Sequence, residues 1–77
     1  MNKTITVFLN LDRLEFPKMS NDSKDMEYIL ELIKTFKGVS YSSNGRYLIV
    51  YSEKVVLYNI LFQLLDKFNI EMYWHNI

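Results

Sequence analysis

Residues 38–52 read GVSYSSNGRYLIVYS, two strand-like runs on either side of Asn44-Gly45. Asn-Gly between such runs predicts a tight β-hairpin. Both central residues of a type I′ turn take positive φ, which Asn tolerates and Gly adopts freely. A two-residue turn opposes Ser43 to Arg46, Ser42 to Tyr47, Tyr41 to Leu48, Ser40 to Ile49 and Val39 to Val50. Opposed residues share a face of the sheet. One face then carries Val39, Tyr41, Leu48 and Val50 and is expected to turn to the core. The other carries Ser40, Ser42, Tyr47, Ile49 and Tyr51, and its serines mark it as the wet side. Three large residues are thereby expected on the surface, where an apolar cluster is more informative than any buried one.

Upstream, TITVFLNL (residues 4–11) alternates cleanly and predicts a strand. Ile5, Val7, Leu9 and Leu11 form its core set, which leaves Phe8 facing outward between Thr6 and Asn10. DRLEFPKM (residues 12–19) holds the only proline and reads as a loop docked over the end of the core by Leu14 and Phe16. Ser20-Asn21-Asp22-Ser23 is a run of helix N-cap types, and Asp22 and Asp25 complement the positive end of the helix dipole. The helix presents Met26, Ile29, Leu30, Ile33 and Phe36 on one stripe, and Gly38 suits the left-handed position beyond its end.

Downstream, Ser52 is the expected N-cap of a second helix over residues 53–68. Its buried arc is Leu57, Ile60, Leu61, Leu64, Leu65 and Phe68. Val55, Tyr58 and Phe62 widen that arc, either by deep burial or as an apolar flank left in water. Residues 69–77, NIEMYWHNI, alternate again, with Ile70, Met72 and Trp74 inward and Glu71, Tyr73 and His75 outward.

The order β-α-β-β-α-β over 77 residues predicts one α+β domain of the ferredoxin-like, split βαβ type. Right-handed crossovers give a four-stranded antiparallel sheet in the order 4-1-3-2, with both helices on one face. The open face would then carry Phe8 next to Tyr47, Ile49 and Tyr51, with Tyr73 on the neighbouring edge strand.

Composition narrows the function classes. The formal net charge is zero, with six basic and six acidic residues in 1–38 and three of each in 39–77. No electrostatic footprint for nucleic acid or an anionic membrane follows from that balance. The chain lacks cysteine, which fits a cytoplasmic protein. The first residues lead straight into a strand with no signal-peptide apolar region, and no apolar run approaches the roughly 20 residues of a membrane span. Phe, Tyr, Met, Ile, Asn and Lys supply 36 of the 77 residues and alanine none, as AT-rich coding DNA in low-GC bacteria and their phages would yield.

Catalytic motifs are thin. The sequence contains no Gly-rich phosphate loop, no G-x-S-x-G and no Cys or His pair for zinc, so no catalytic residue, cofactor or metal is expected. The lone histidine, His75, reads as a solvated strand residue. Asp12, just past the first strand, resembles the aspartate of small ferredoxin-like nucleases of the Cas2/VapD type, which would imply metal-dependent cleavage at a dimer axis. VFLNL and GRYLIVY loosely resemble the two RNP motifs of RRM domains, with Phe8 and Tyr47 as stacking residues. That resemblance implies binding of single-stranded RNA or DNA. Tyr47 stands where the motif has a small residue, Leu48 replaces a stacking aromatic, and only Arg46 is near enough to serve a phosphate.

Interface cores are rich in Tyr, Trp, Phe and Met and poor in charge, which is the composition of the expected open face. The reading that follows is a non-enzymatic binding module, using Phe8, Tyr47, Ile49, Tyr51 and Tyr73 to hold a protein partner or a second copy as a homodimer. A phage or mobile-element protein that blocks a host factor, anti-CRISPR proteins included, would have this size and composition. The Tyr58/Phe62 helix flank is the competing surface.

Overall fold

Strand alternation survives in the computed structural model, which describes residues 2–74, but it builds one strand more than the sequence suggested. The strands are β1 (Lys3–Leu9), β2 (Arg13–Pro17), β3 (Ser40–Ser43), β4 (Tyr47–Tyr51) and β5 (Phe68–Trp74). The helices are α1 (Ser23–Ile33) and α2 (Lys54–Leu64), and a single 3-10 turn, Lys18–Ser20, follows β2. The sheet has five strands in the order β3-β4-β2-β1-β5 and is mixed.

The segment expected to be a loop is β2, in the middle of that sheet. Leu14 and Phe16 alternate with Arg13, Glu15 and Pro17, and both apolar side chains are fully buried. β2 pairs antiparallel with β1 (Leu9 opposite Leu14) and with β4 (Phe16 opposite Leu48). Pro17 sits at the end of the strand, where a missing N–H costs the ladder least. Asn10 makes the β1–β2 turn possible: its N–H donates to Arg13 O at 3.0 Å and its Oδ1 accepts from Leu11 N at 2.7 Å. Leu11, expected in the core, is pushed out by that turn and is 75% exposed.

The extra strand corrects the four-stranded antiparallel order. Each antiparallel neighbour reverses direction once, so inserting β2 between β1 and β4 makes β5 parallel to β1. Seven consecutive residues of each pair, from Lys3 with Phe68 to Leu9 with Trp74. The ferredoxin-like arrangement therefore gives way to a mixed α+β sheet with two helices.

The β3–β4 hairpin differs from expectation by two residues of register. Ser40 opposes Tyr51, Tyr41 opposes Val50, Ser42 opposes Ile49 and Ser43 opposes Leu48. Gly45 and Arg46 stand at the tip, not Asn44 and Gly45. Asn44 closes the turn with its side chain, whose Oδ1 accepts from Arg46 N at 2.7 Å and Tyr47 N at 2.8 Å. Neither Asn44 nor Gly45 takes positive φ, so the type I′ geometry is not used. Side chains alternate with a period of two, so a two-residue slip leaves every residue on its expected face. Tyr41 points to the core side yet is exposed, on the edge strand β3.

The helices cover one face only. Ile29 and Ile33 of α1 and Leu57, Ile60, Leu61 and Leu64 of α2 join Ile5, Val7, Leu9, Leu14, Phe16, Leu48, Val50 and Phe68 in a single core. Gly38 does take the left-handed conformation (φ 74°), and its carbonyl accepts from Ser52 Oγ at 3.0 Å. Ser52 is thus engaged elsewhere, and Glu53 occupies the α2 N-cap position without a side-chain bond. α2 stops at Leu64, so Phe68 is the first residue of β5 and not a helical one.

Of the four N-cap candidates Ser20, Asn21, Asp22 and Ser23, it is Asp22 that caps α1, accepting from Asp25 N at 2.8 Å. Lys3 Nζ lies 2.8 Å from Asp22 Oδ2 and 2.7 Å from Asp25 Oδ2, tying β1 to the start of the helix. The Lys3 hydrogen bond, assisted by the Asp25 N–H, holds the Asp22 carboxyl below its usual range, and the carboxylates of Asp22 and Asp25 raise Lys3. A carboxyl depressed in the folded state stabilises above its unfolded value, and that contribution is lost as pH falls through the folded one. Asp22→Asn keeps a capping side chain but removes the charge. It should lower Tm at neutral pH, with the gap to wild type closing once pH drops below about 4. Thermal melts between pH 7 and pH 2.5 read this directly; a gap independent of pH would refute the electrostatic account.

Candidate functional site

The sheet's open face decides what a partner would touch. Cross-strand pairing sets Ser42, Ile49, Glu15, Phe8 and Tyr73 in one row across all five strands. Beside it run Ser40, Tyr51 and Arg13, and on the other side Tyr47 with Pro17. No helix residue packs on this face, since both helices belong to the core on the opposite side.

The five expected partner-binding residues all lie on the open face, but not as one stripe. β2 separates Phe8 from Tyr47, Ile49 and Tyr51, which were expected on the adjacent strand. Adjacent strands lie about 4.8 Å apart, so the two aromatic groups are roughly 10 Å from each other. Tyr73 is exposed, whereas Phe8, Tyr47, Ile49 and Tyr51 are partly buried by their neighbours. Phe8 and Tyr73 meet with ring centroids 5.7 Å apart, as expected for side-by-side strands, and the Tyr73 hydroxyl donates to the Glu71 carboxylate.

Residues of β2 complete the surface, and the loop reading missed them. The Arg13 guanidinium lies 5.5 Å from the Tyr51 ring centroid, a cation–π contact. Its Nε donates to Asp12 Oδ1 at 3.0 Å, and that bond holds Arg13 above even its ordinary high value. Glu15 sits at the centre of the face, only 6% exposed between Phe8 and Ile49. At one end, Pro17, Met19, Arg46 and Tyr47 line an open hollow of about 260 Å³, with Met19 almost wholly in solvent. The alternation of Leu14 and Phe16 was the available signal for all of this.

Asp12 lies in the β1–β2 turn, its carboxylate held by Arg13 and its carbonyl accepting from Ser52 N at 3.2 Å. Among the described residues no group of three or more His, Cys, Asp or Glu is placed to hold a metal ion. His75 lies outside the described residues. No helix among them is long and apolar enough to cross a membrane.

A second surface runs along α2. Val55, Tyr58, Phe62 and Leu65 recur at helical spacing and are exposed, settling the question of that flank in favour of water. Met72 and Trp74 of β5 extend it, and Lys54 Nζ lies 5.8 Å from the Trp74 ring centroid. Compared with protein-family models, curated proteins and solved structures, the chain matches none.

Proposed function

We propose that this chain is a non-enzymatic protein-binding module that engages its partner through the open sheet face. The observation that carries this reading is a helix-free face on which Tyr47, Ile49 and Tyr51 line one strand and Arg13 stacks on Tyr51. Tyr and Arg are the side chains most often found to dominate binding energy at protein interfaces. Phe8 and Tyr73 form a second apolar island across β2. The hollow beside Tyr47, at about 260 Å³, falls below the roughly 300–1,000 Å³ of small-molecule sites but has room for one inserted side chain. The AT-rich composition supports a phage or mobile-element source, with a host factor as the partner.

The nucleic-acid alternative has less behind it. Stacking bases across the middle of a sheet needs Phe8 and Tyr47 on neighbouring strands, and the carboxyl of Glu15 lies between them. The nuclease alternative rests on Asp12 alone.

The test compares wild type with the double variant Tyr47→Ser/Tyr51→Ser as immobilised bait, with captured proteins identified by mass spectrometry. The variant should keep its far-UV circular dichroism and lose a specific protein that wild type retains. Equal capture by both would overturn the reading, as would binding of mixed oligonucleotides that weakens steeply with salt.

A further inference from the structure

We propose that β5 pairs antiparallel with β5 of a second copy of this chain, with the two α2 flanks closing over the join. The inference rests on the β5 edge and the α2 flank, shares only Tyr73 with the partner-binding face, and can fail while the reading of that face stands.

Among the described residues β5 is an outermost strand of the sheet, and none of them forms a strand along its outer row of N–H and C=O groups. Natural sheets protect such edges with short strands, lysines, prolines or bulges. The opposite edge, β3, follows that rule: it is four residues long and three of them are serine. β5 is seven residues long, FNIEMYW, and contains no Pro, Lys, Arg or Gly. An edge of this length and composition is suited to pairing.

The sequence of β5 is complementary to itself in one register. With a twofold axis through Met72, Met72 faces its own copy and Ile70 faces Trp74 on the helix side of the sheet. On the open side, Tyr73 faces Glu71, so a phenol donor meets a carboxylate acceptor, the pair that already bonds within one strand. An axis through Glu71 would instead set two carboxylates against each other. The chain's zero net charge adds no long-range repulsion between copies.

The helix side supplies the apolar area. Val55, Tyr58, Phe62, Leu65, Met72 and Trp74 are each between 44% and 74% exposed. With roughly 150–250 Å² for a whole aromatic side chain, they leave on the order of 500–600 Å² of apolar surface in water. A standard interface buries about 800 Å² per partner, and the paired strand edges supply the remainder. An axis perpendicular to the sheet keeps both helical layers on one side. The product is a continuous ten-stranded sheet whose two open faces point the same way.

The experiment is sedimentation equilibrium from about 1 to 500 μM, comparing wild type with Met72→Lys/Trp74→Lys. Both side chains are about half exposed, so the variant should retain its circular dichroism. Wild type should approach twice the 9.3 kDa chain mass and the variant remain at 9.3 kDa. Register is read with Met72→Cys, since paired Cα atoms about 4.5–5.5 Å apart lie within disulfide reach. Mild oxidation should cross-link that variant into a covalent dimer and leave Ser42→Cys without a cross-link. A wild type that is monomeric throughout would overturn the proposal and leave the edge to a foreign strand. A dimer unaffected by the lysines but lost in Tyr47→Ser/Tyr51→Ser would also overturn it, placing self-contact on the open face.

Discussion

Phe16→Ala should cost about 3–5 kcal/mol, the range for removing a fully buried phenyl ring from a packed core. Phe16 has no accessible surface and lies opposite Leu48 in the middle of the sheet. A domain of 77 residues has roughly 4–12 kcal/mol of stability in all, so the variant should lose at least about a quarter of it. Urea titration followed by circular dichroism gives the answer. A loop residue docked at the margin of the core would lose far less, and a midpoint that hardly moves would remove β2 from the sheet.

The second large effect contrasts two positions on one helix. Ile60 is fully buried and Phe62, two residues on, is 74% exposed. Ile60→Ala should cost about 2–5 kcal/mol, whereas Phe62→Ser should change the stability of dilute, monomeric protein by no more than about 0.5 kcal/mol. At high concentration the serine variant should fall behind, because association stabilises whatever it binds by mass action. Equal losses at both positions in dilute solution would mean that the α2 flank packs against this chain's own core.

A dominant period was read correctly in the first strand and first helix, but the same reasoning turned Met72, Trp74 and Leu65 inward, and all three are about half exposed. The alternation of Ile5, Val7 and Leu9 and the stripe through Ile29 and Ile33 stand as read, and the cap falls within the run Ser20 to Ser23, at Asp22. The hairpin shows why such reasoning tolerates error: register was off by two residues, yet parity kept Tyr47, Ile49 and Tyr51 on the open face. An error of one would have moved all three into the core. What failed was β2. Five residues, one of them a proline, are too few to establish a period, and Leu14 and Phe16 alone also suit a docked loop. Its charged members, Arg13 and Glu15, gain their place on the open face only from β1 and β4 on either side. Leu11 was misread for a related reason, since alternation cannot show where a strand stops and a turn begins.

The parallel pairing of β1 with β5 has a consequence for how the chain comes together. Its partners lie about 65 positions apart, from Lys3 with Phe68 to Leu9 with Trp74. β1 can zip to β2 at once, through a three-residue turn, but its other side must wait until nearly everything else described here has been synthesised. Contacts of such long sequence separation are entropically dear and slow to form. A nascent chain halted before Phe68 would hold β1 with one edge bare, offering its unpaired backbone N–H and C=O groups to any passing strand. β5 is therefore what shields β1, and chaperone dependence or aggregation during synthesis should track how quickly β5 follows it.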